Sequence, residues 1–341
     1  MYLINSITII SAKLFKRALY HARFAAAFLS LALIFGAQAI FSSSASAQKK
    51  TEGILEFNQV PADGIALPKA RLHSVKIDPS NSFKLFSATA EGLQVSENGG
   101  LSWRKLAIAG KDEEVFALEV DPLRPNLLFV GRRDGLWRSQ DGGRSWDALP
   151  YPDSVPVALS IAKKQPNTLY LATSRHGLYK STDGGYQWKE INKNIPKARA
   201  GGRPEEIRML LVDPLDPNTV YASLERLGIY HTVDGGENWQ PFNQGLPFPF
   251  MRPIHPPRLA YDPSDPKKLY LAFNQPIHSQ LLKTRLYVLS DNNDRWLPVN
   301  ARIPDNFPVR DLVVDSAKNT IQIWGAEAVL EASLPGKSGT K

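Results

Sequence analysis

Apolar residues along most of this chain occur in short β-rich runs cut by Gly, Pro, Asn and Asp, a pattern that predicts strands joined by tight turns. One stretch shows it clearly. From Ala117 the chain reads ALEVDPLRPNLLFVGRRDGLWRSQDGGRSWDAL, in which residues 117–120, 127–131 and 135–139 form three such runs and a fourth begins near Trp146. These strands are designated A to D in chain order. Asp121-Pro122 stops strand A, and Pro125-Asn126 turns the chain into strand B, because proline withholds a ladder donor and Asp or Asn side chains bond their own backbone. Apolar–polar alternation is weak in A, which predicts an inner strand buried on both faces.

The same unit recurs. ALSIAKKQPNTLYLATSRHGLYKSTDGGYQWKEI from Ala158 and LLVDPLDPNTVYASLERLGIYHTVDGGENWQPF from Leu210 align with it, an earlier copy spans residues 75–106, and a looser one spans 259–299. The tryptophans of these copies, Trp103, Trp146, Trp188, Trp239 and Trp296, are spaced by 43, 42, 51 and 57 residues, the period of a four-stranded propeller blade. A sixth copy, DLVVDSAKNTIQIWGAEAVLEASL from Asp311, ends after its third strand. Residues 54–60 precede the first strand A without a partner, so they are expected to supply the missing fourth strand of the last blade and close the ring, which removes the open sheet edge. The expectation is an all-β, six-bladed β-propeller with four-stranded blades, with a seven-bladed ring as the alternative. It occupies residues 48–336 as a single domain, followed by a disordered tail over 337–341.

The C-to-D turns share the pattern Ser/Thr-x-Asp-x-Gly-x-x-Trp: SQDGGRSW from Ser139, STDGGYQW from Ser181 and TVDGGENW from Thr232. SENGGLSW from Ser96 places Asn98 at the Asp position, and LSDNNDRW keeps Asp291 but has Asn293 for Gly. A short carboxylate or amide accepts backbone N–H bonds inside such a turn, Gly or Asn permits positive φ, and Trp packs its large surface between elements. Asn98, Asp141, Asp183, Asp234 and Asp291 therefore read as turn formers. Lying one blade apart, they cannot meet as an acid/base pair. With these motifs the chain resembles the BNR/Asp-box propeller superfamily, which includes sialidases, xyloglucanase-type glycosidases, the sortilin luminal domain and photosystem II assembly factors. The texture DPxxPNxxY…GLYxSxDGGxxW is most similar to the photosystem II stability/assembly factor-like proteins, although those assembly factors are usually given seven blades. The resemblance covers about residues 70–335 and implies the propeller fold; it does not select a function.

Composition changes the picture chiefly at the N-terminus. Lys13, Lys16, Arg17 and Arg23 precede an apolar stretch over 24–41, and Ala45-Ser46-Ala47 supplies a small-residue cleavage pattern, so residues 1–47 read as a signal peptide. An uncleaved anchor is the alternative. The formal charge of +8 then falls to about +4, because the leader holds four basic residues and no acidic ones, and basicity predicts no nucleic-acid partner. The chain has no cysteine, so an exported, periplasmic or extracellular protein must fold on core burial alone, which its length allows.

In an up-and-down blade the A–B and C–D turns share one face and the B–C and D–A connections share the other. The A–B turns hardly vary in length, whereas the insertions at 195–207, 245–258 and 275–285 all fall on the opposite face, where variable loops on a rigid repeat carry binding. That face gathers Arg71, His73, Arg132, Arg133, Arg175, His176, Arg208, Arg226, Arg252, His255, Arg258 and Arg310. They are expected to form a basic surface for a protein or acidic ligand, unless Glu91, Glu113, Glu114, Glu205 and Glu206 neutralise them. Phe248 and Phe250 read as a docking patch or as parts of a stiff loop. The leading reading is a non-catalytic assembly scaffold, monomeric, that meets a membrane only through an uncleaved leader or a membrane-protein partner. The alternative is a secreted glycosidase acting on carbohydrate, with Asp112, Glu113, Glu205, Glu206 and Asp305 as candidate carboxylates. A sialidase reading lacks a paired Tyr and Glu and an Arg-Ile-Pro segment before the first blade. No phosphate loop, nucleophile turn or metal-ligand cluster stands out, so no catalytic residue, cofactor or metal is assigned.

Overall fold

The computed structural model describes residues 54–60, 70–110, 113–198, 202–247, 256–278 and 281–335. The expected leader and tail lie outside the described residues, as do Asp112, Phe248, Phe250, Arg252 and His255. Chain contacts separate Met1–Gly53 from Ile54–Lys341, and all described residues belong to the second unit.

Six four-stranded antiparallel sheets, each running A-B-C-D from the inside outward, make six blades. Blade 1 comprises Leu72–Asp78, Asn81–Thr89, Gly92–Ser96 and Arg104–Leu106; blade 2 comprises Val115–Val120, Leu128–Arg132, Gly135–Ser139 and Asp147–Leu149. Blade 3 follows with Pro156–Ile161, Leu169–Thr173, Gly177–Ser181 and Lys189–Glu190, and blade 4 with Ile207–Val212, Val220–Leu224, Gly228–Thr232 and Gln240–Pro241. Blade 5 is Arg258–Asp262, Asp265–His278, Leu281–Leu289 and Trp296–Pro298. Blade 6 takes Asp311–Asp315, Thr320–Trp324 and Val329–Ser333 from the end of the chain and Asn58–Gln59 from its beginning. Strand B is the most enclosed: in blades 2, 3, 4 and 6 all its residues are buried, because each sheet packs on both neighbours there.

The closing segment divides its work between two pairings. Asn58 and Gln59 lie antiparallel to Glu331 and Leu330, while Leu55 and Glu56 run parallel to Ala301 and Arg302 in the connection between blades 5 and 6. The ring also closes on its inner edge, where the Val75 amide of blade 1 donates to Asp311 Oδ2 of blade 6 at 2.7 Å. The stretch 275–285, expected as an inserted loop, instead prolongs strands B and C of blade 5 into a hairpin arm, with Gln275 opposite Lys283 and His278 opposite Leu281.

In the Asp-box turns the carboxylates face their own backbone. Asp141 Oδ1 accepts the Ser139 hydroxyl at 2.8 Å and the amides of Arg144 and Ser145 at 3.0 and 2.9 Å. Asp183 and Asp234 do the same with Ser181 and Thr232, and Asn98 Oδ1 accepts the Ser96 hydroxyl and the Ser102 amide. Blade 5 departs from the expectation, for Ser290 donates to Asp294 Oδ1 at 2.7 Å and Asp294, not Asp291, closes the turn. With apolar Leu289 where the other copies have Ser or Thr, the hydroxyl anchor falls one position later, at Ser290, and its carboxylate partner three positions later, at Asp294. The second glycine of the box in blades 1 to 4 takes a positive φ, which glycine adopts without strain. At Gly236, with φ of 97°, a Cβ would lie 2.5 Å from Ile191 of the preceding blade.

The turn tryptophans latch neighbouring blades together. Trp188 Nε1 donates to Pro150 O at 3.0 Å, Trp239 to Ile191 O at 2.9 Å and Trp296 to Phe242 O at 2.9 Å, each acceptor lying just beyond strand D of the preceding blade. Trp146 bonds Gly143 O within its own turn, and Trp103 meets Trp324 of blade 6 edge-on at 6.4 Å. Trp146, Trp188, Trp239 and Trp296 thus satisfy their indole donor while the ring packs against the sheets.

These turns also set an acid limit. Bonds from the Thr232 hydroxyl and the Asn238 amide hold the Asp234 carboxyl down at about 2, and Asp141 and Asp183 are likewise held below the usual range, by Ser145 and the Gln187 amide first. A folded-state pKa below the unfolded value, about 3.9, contributes stability above that pH and loses it as the carboxyl protonates. The thermal midpoint is therefore expected to fall between about pH 4 and pH 2. The D141N/D183N/D234N variant, made tolerable by the amide already at Asn98, should show a smaller fall in calorimetry. An equal fall would remove these turns as its source.

Candidate functional site

The A strands of all six blades line a central channel of about 610 Å³. Strand A starts at the loop-rich face, so the first residues of each A strand, and those just before them, set the chemistry of that mouth. Arg208 opens toward it from blade 4, Arg258 begins strand A of blade 5, Arg310 precedes that of blade 6, and His73 stands in that of blade 1.

Arg258 is the unusual member. It is half-buried, and its Nε is enclosed with no hydrogen-bond acceptor. Burial holds its pKa below the ordinary guanidinium value; Asp311 opposes this, while Arg310 and Arg208 reinforce it. Asp311 is buried and committed to the Val75 amide and its own neighbour Leu312, so it gives Arg258 charge compensation without taking its Nε hydrogen. Beside it lies an ion pair of Lys76 with Glu119 at 2.6 Å. Desolvation opposes the Lys76 charge, but Glu119 outweighs it and raises the Lys76 pKa. Burial in turn pushes the Glu119 carboxyl up despite Lys76.

Most of the other cations are already partnered, which corrects the expectation of a broad basic surface. Arg71, His73 and Arg133 converge on Glu114 at 2.8, 3.0 and 3.5 Å. Burial lowers the His73 pKa, against the opposing bond to Glu114. Arg226 reaches buried Glu205 at 2.9 Å, and Arg208 binds Glu206 and, at 3.0 Å, Glu225. Arg132 is not on the surface. Its guanidinium is buried against Asp134 and the carbonyls of Ile108 and Ala109, where it ties the B–C hairpin to the outer edge of blades 1 and 2. Arg175 and His176 project into solvent from the blade 3 hairpin, and their backbone amides donate to Ser154 Oγ and Thr173 Oγ1.

Of the candidate carboxylates, Glu113, Glu205 and Glu206 are similarly engaged, while Asp305 is exposed. Glu113 pairs with Lys105 at 2.7 Å, and Glu205 with Arg226. Glu206 and Glu225 share Arg208 and bond one another, which pushes Glu206 up and holds Glu225 down. A contact pair leaves no room for a sugar, since glycoside hydrolysis needs carboxyl groups about 5 to 10 Å apart. No group of three or more metal-ligating side chains occurs among the described residues. Sequence reading missed Lys76, Glu119 and Asp311, because a charged residue inside an apolar run gives no sign of which pole or neighbour it faces.

Sequence and structure comparisons converge on the architecture. The Sortilin-Vps10 family description (sortilin, neurotensin receptor 3) matches residues 91–203, which hold the two outer strands of blade 1 and all of blades 2 and 3. The chain is a six-bladed β-propeller, and over those residues it is similar to the sortilin family. No curated protein sequence matches it. Among solved structures, this Asp-box propeller is similar to the GH74 enzyme of Niastella koreensis, at 21% identity and a TM-score of 0.60 over 82% of this chain and 46% of that one. It is also similar to the GH74 xyloglucanase of Xanthomonas campestris, at 19% identity and 0.58 over 83% and 46%. A YCF48 bound to a D1 peptide aligns at 15% identity and 0.44 over 85% of this chain and 98% of that one. The propeller spans less than half the length of those GH74 enzymes, and likeness at such identities speaks to fold alone.

Proposed function

We propose that this protein is an exported, non-catalytic binding scaffold that takes an acidic segment of a partner protein, or another acidic ligand, at the channel mouth on its loop-rich face. One observation carries the reading: the enclosed Nε of Arg258 lacks an acceptor beside Arg208 and Arg310. A buried guanidinium donor without a partner costs about 1–3 kcal/mol, and a carboxylate oxygen entering the channel would recover it. The site is narrower than the basic face expected from sequence, because the rim arginines are held by Glu114, Glu205, Glu206 and Glu225. Export to the periplasm or beyond is supported by the leader pattern. The glycosidase alternative rests on fold likeness, and three of its carboxylates, Glu113, Glu205 and Glu206, are engaged in ion pairs.

The test compares proteins captured from the native envelope by the parent chain and by R208E/R258E/R310E, with thermal melts confirming that both fold. The partner retained by the parent is expected to be lost from the variant. An unchanged set of partners rejects the site.

A further inference from the structure

We propose that the channel mouth takes a small amphiphilic monocarboxylate, with its carboxylate on Arg258 and its apolar body against Phe116 and Val157 across the ring. This rests on Arg258 as the carboxylate site, the reading proposed for the mouth, and narrows its ligand to one class. The first support is a repeated irregularity. In blades 1 to 4 the second residue of strand A is a β-bulge with no partner in strand B, and these residues are His73, Phe116, Val157 and Arg208. A bulge re-aims its side chain out of the ladder, and all four line the channel. Consecutive inner strands pack around a ring of six, which sets blade 2 opposite blade 5 and so Phe116 opposite Arg258. The Phe116 ring is held by that of His73, at 5.5 Å between centroids, and by the Arg133 guanidinium at 5.4 Å. Beyond Val157 the wall continues with half-buried Met209 and Leu211. It gives an apolar body close packing and gives the hydroxyls of a sugar no strong hydrogen-bond partner.

Charge and backbone chemistry narrow the class further. A second negative charge on the ligand would stand against Asp311 and against the Glu206–Glu225 pair on Arg208, so one carboxylate fits and a dianion does not. Deeper in the channel Lys76 and Glu119 neutralise one another and add no second anion site. An extended peptide adding to an inner strand would need free amides there, and in blades 1, 3, 4 and 5 side chains of the preceding blade already take them. The Val75, Val212 and Leu259 amides donate to Asp311 Oδ2, Ser160 Oγ and Met209 Sδ at 2.7, 3.1 and 3.2 Å, and Glu119 accepts that of Ile161. The channel volume of about 610 Å³ is that of a small-molecule pocket. A carboxylate joined directly to an apolar body supplies the acceptor that Arg258 Nε lacks and sets no polar group against the apolar wall.

The test is a titration of the full chain with 4-phenylbutyrate, followed by ligand-observed NMR. Its controls are 4-phenylbutanol, which lacks the charge, glutarate, which carries two, and an acidic peptide amidated at its C-terminus. 4-Phenylbutyrate is expected to bind at least about ten-fold more tightly than either small control. R258M should weaken it at least about ten-fold, and R258K, which keeps a charge beside Asp311, several-fold. V157T/M209Q, which keeps side-chain volume and an acceptor for the Leu259 amide, should also weaken it several-fold. Thermal melts establish that each variant folds. Equal binding of 4-phenylbutanol, or affinity for 4-phenylbutyrate untouched by V157T/M209Q, would overturn the inference. If the acidic peptide binds, R258M abolishes that binding and 4-phenylbutyrate is ignored, the inference fails while Arg258 stands as the carboxylate site. If neither ligand binds, or R258M changes neither, both fall.

Discussion

Deletion of residues 54–60 is expected to lower the thermal midpoint by more than about 15 °C and to make the protein aggregate on mild heating. The segment buries Leu55 and Phe57 in the same core cluster as Leu312, Ile323 and Leu330, and it supplies the fourth strand of blade 6. Each of those side chains contributes about 1.5–3 kcal/mol by burial, and the pairings of Asn58, Gln59, Leu55 and Glu56 add their hydrogen bonds. Against a total stability of about 5–15 kcal/mol such a loss is large. Aggregation follows from the exposed ladder of Val329–Ser333, which would become an edge strand with an apolar flank. Scanning calorimetry and light scattering on the shortened chain check both parts. A midpoint within a few degrees of the parent would mean that strand A contacts, such as Val75 to Asp311, close the ring without the outer strand.

Trp296→Ala is expected to cost about 3–5 kcal/mol, and Trp296→Phe clearly less. Trp296 is 1% exposed, packs edge-on against Phe242 at 5.9 Å between ring centroids, and donates to the Phe242 carbonyl across the boundary between blades 4 and 5. Alanine removes the ring and leaves a cavity and an orphaned carbonyl; phenylalanine keeps most of the packing and loses only the donor. Denaturant unfolding of the two variants separates these contributions. Trp188→Ala, at a more exposed indole with the equivalent latch, should cost less than Trp296→Ala because less of its area leaves water on folding. Equal losses at both positions would show that the latch bond, and not burial, dominates.

The site was less legible than the fold. Arg208, Arg258 and Arg310 could be placed at one pole from strand order alone, and the structure does bring them together at the channel mouth. Sequence could not show that Glu114 would collect three cations, that Arg132 would turn inward to Asp134, or that Asp294 would replace Asp291 in the blade 5 turn. Each of these depends on distances between residues far apart in the chain, or on a rotamer chosen by packing.

What the amino-acid order determines by itself is local and repeated. The Asp-Pro stops, the Ser/Thr-x-Asp-x-Gly turns and the blade-length period act within a few residues of one another, and their recurrence specifies six similar units whatever their surroundings. Tertiary structure alone decided which charges survive unpaired. Closing the ring puts inner strands from distant parts of the chain around one low-dielectric channel, where a carboxylate from another blade either neutralises an arginine or, as at Arg258, leaves its donor unmet.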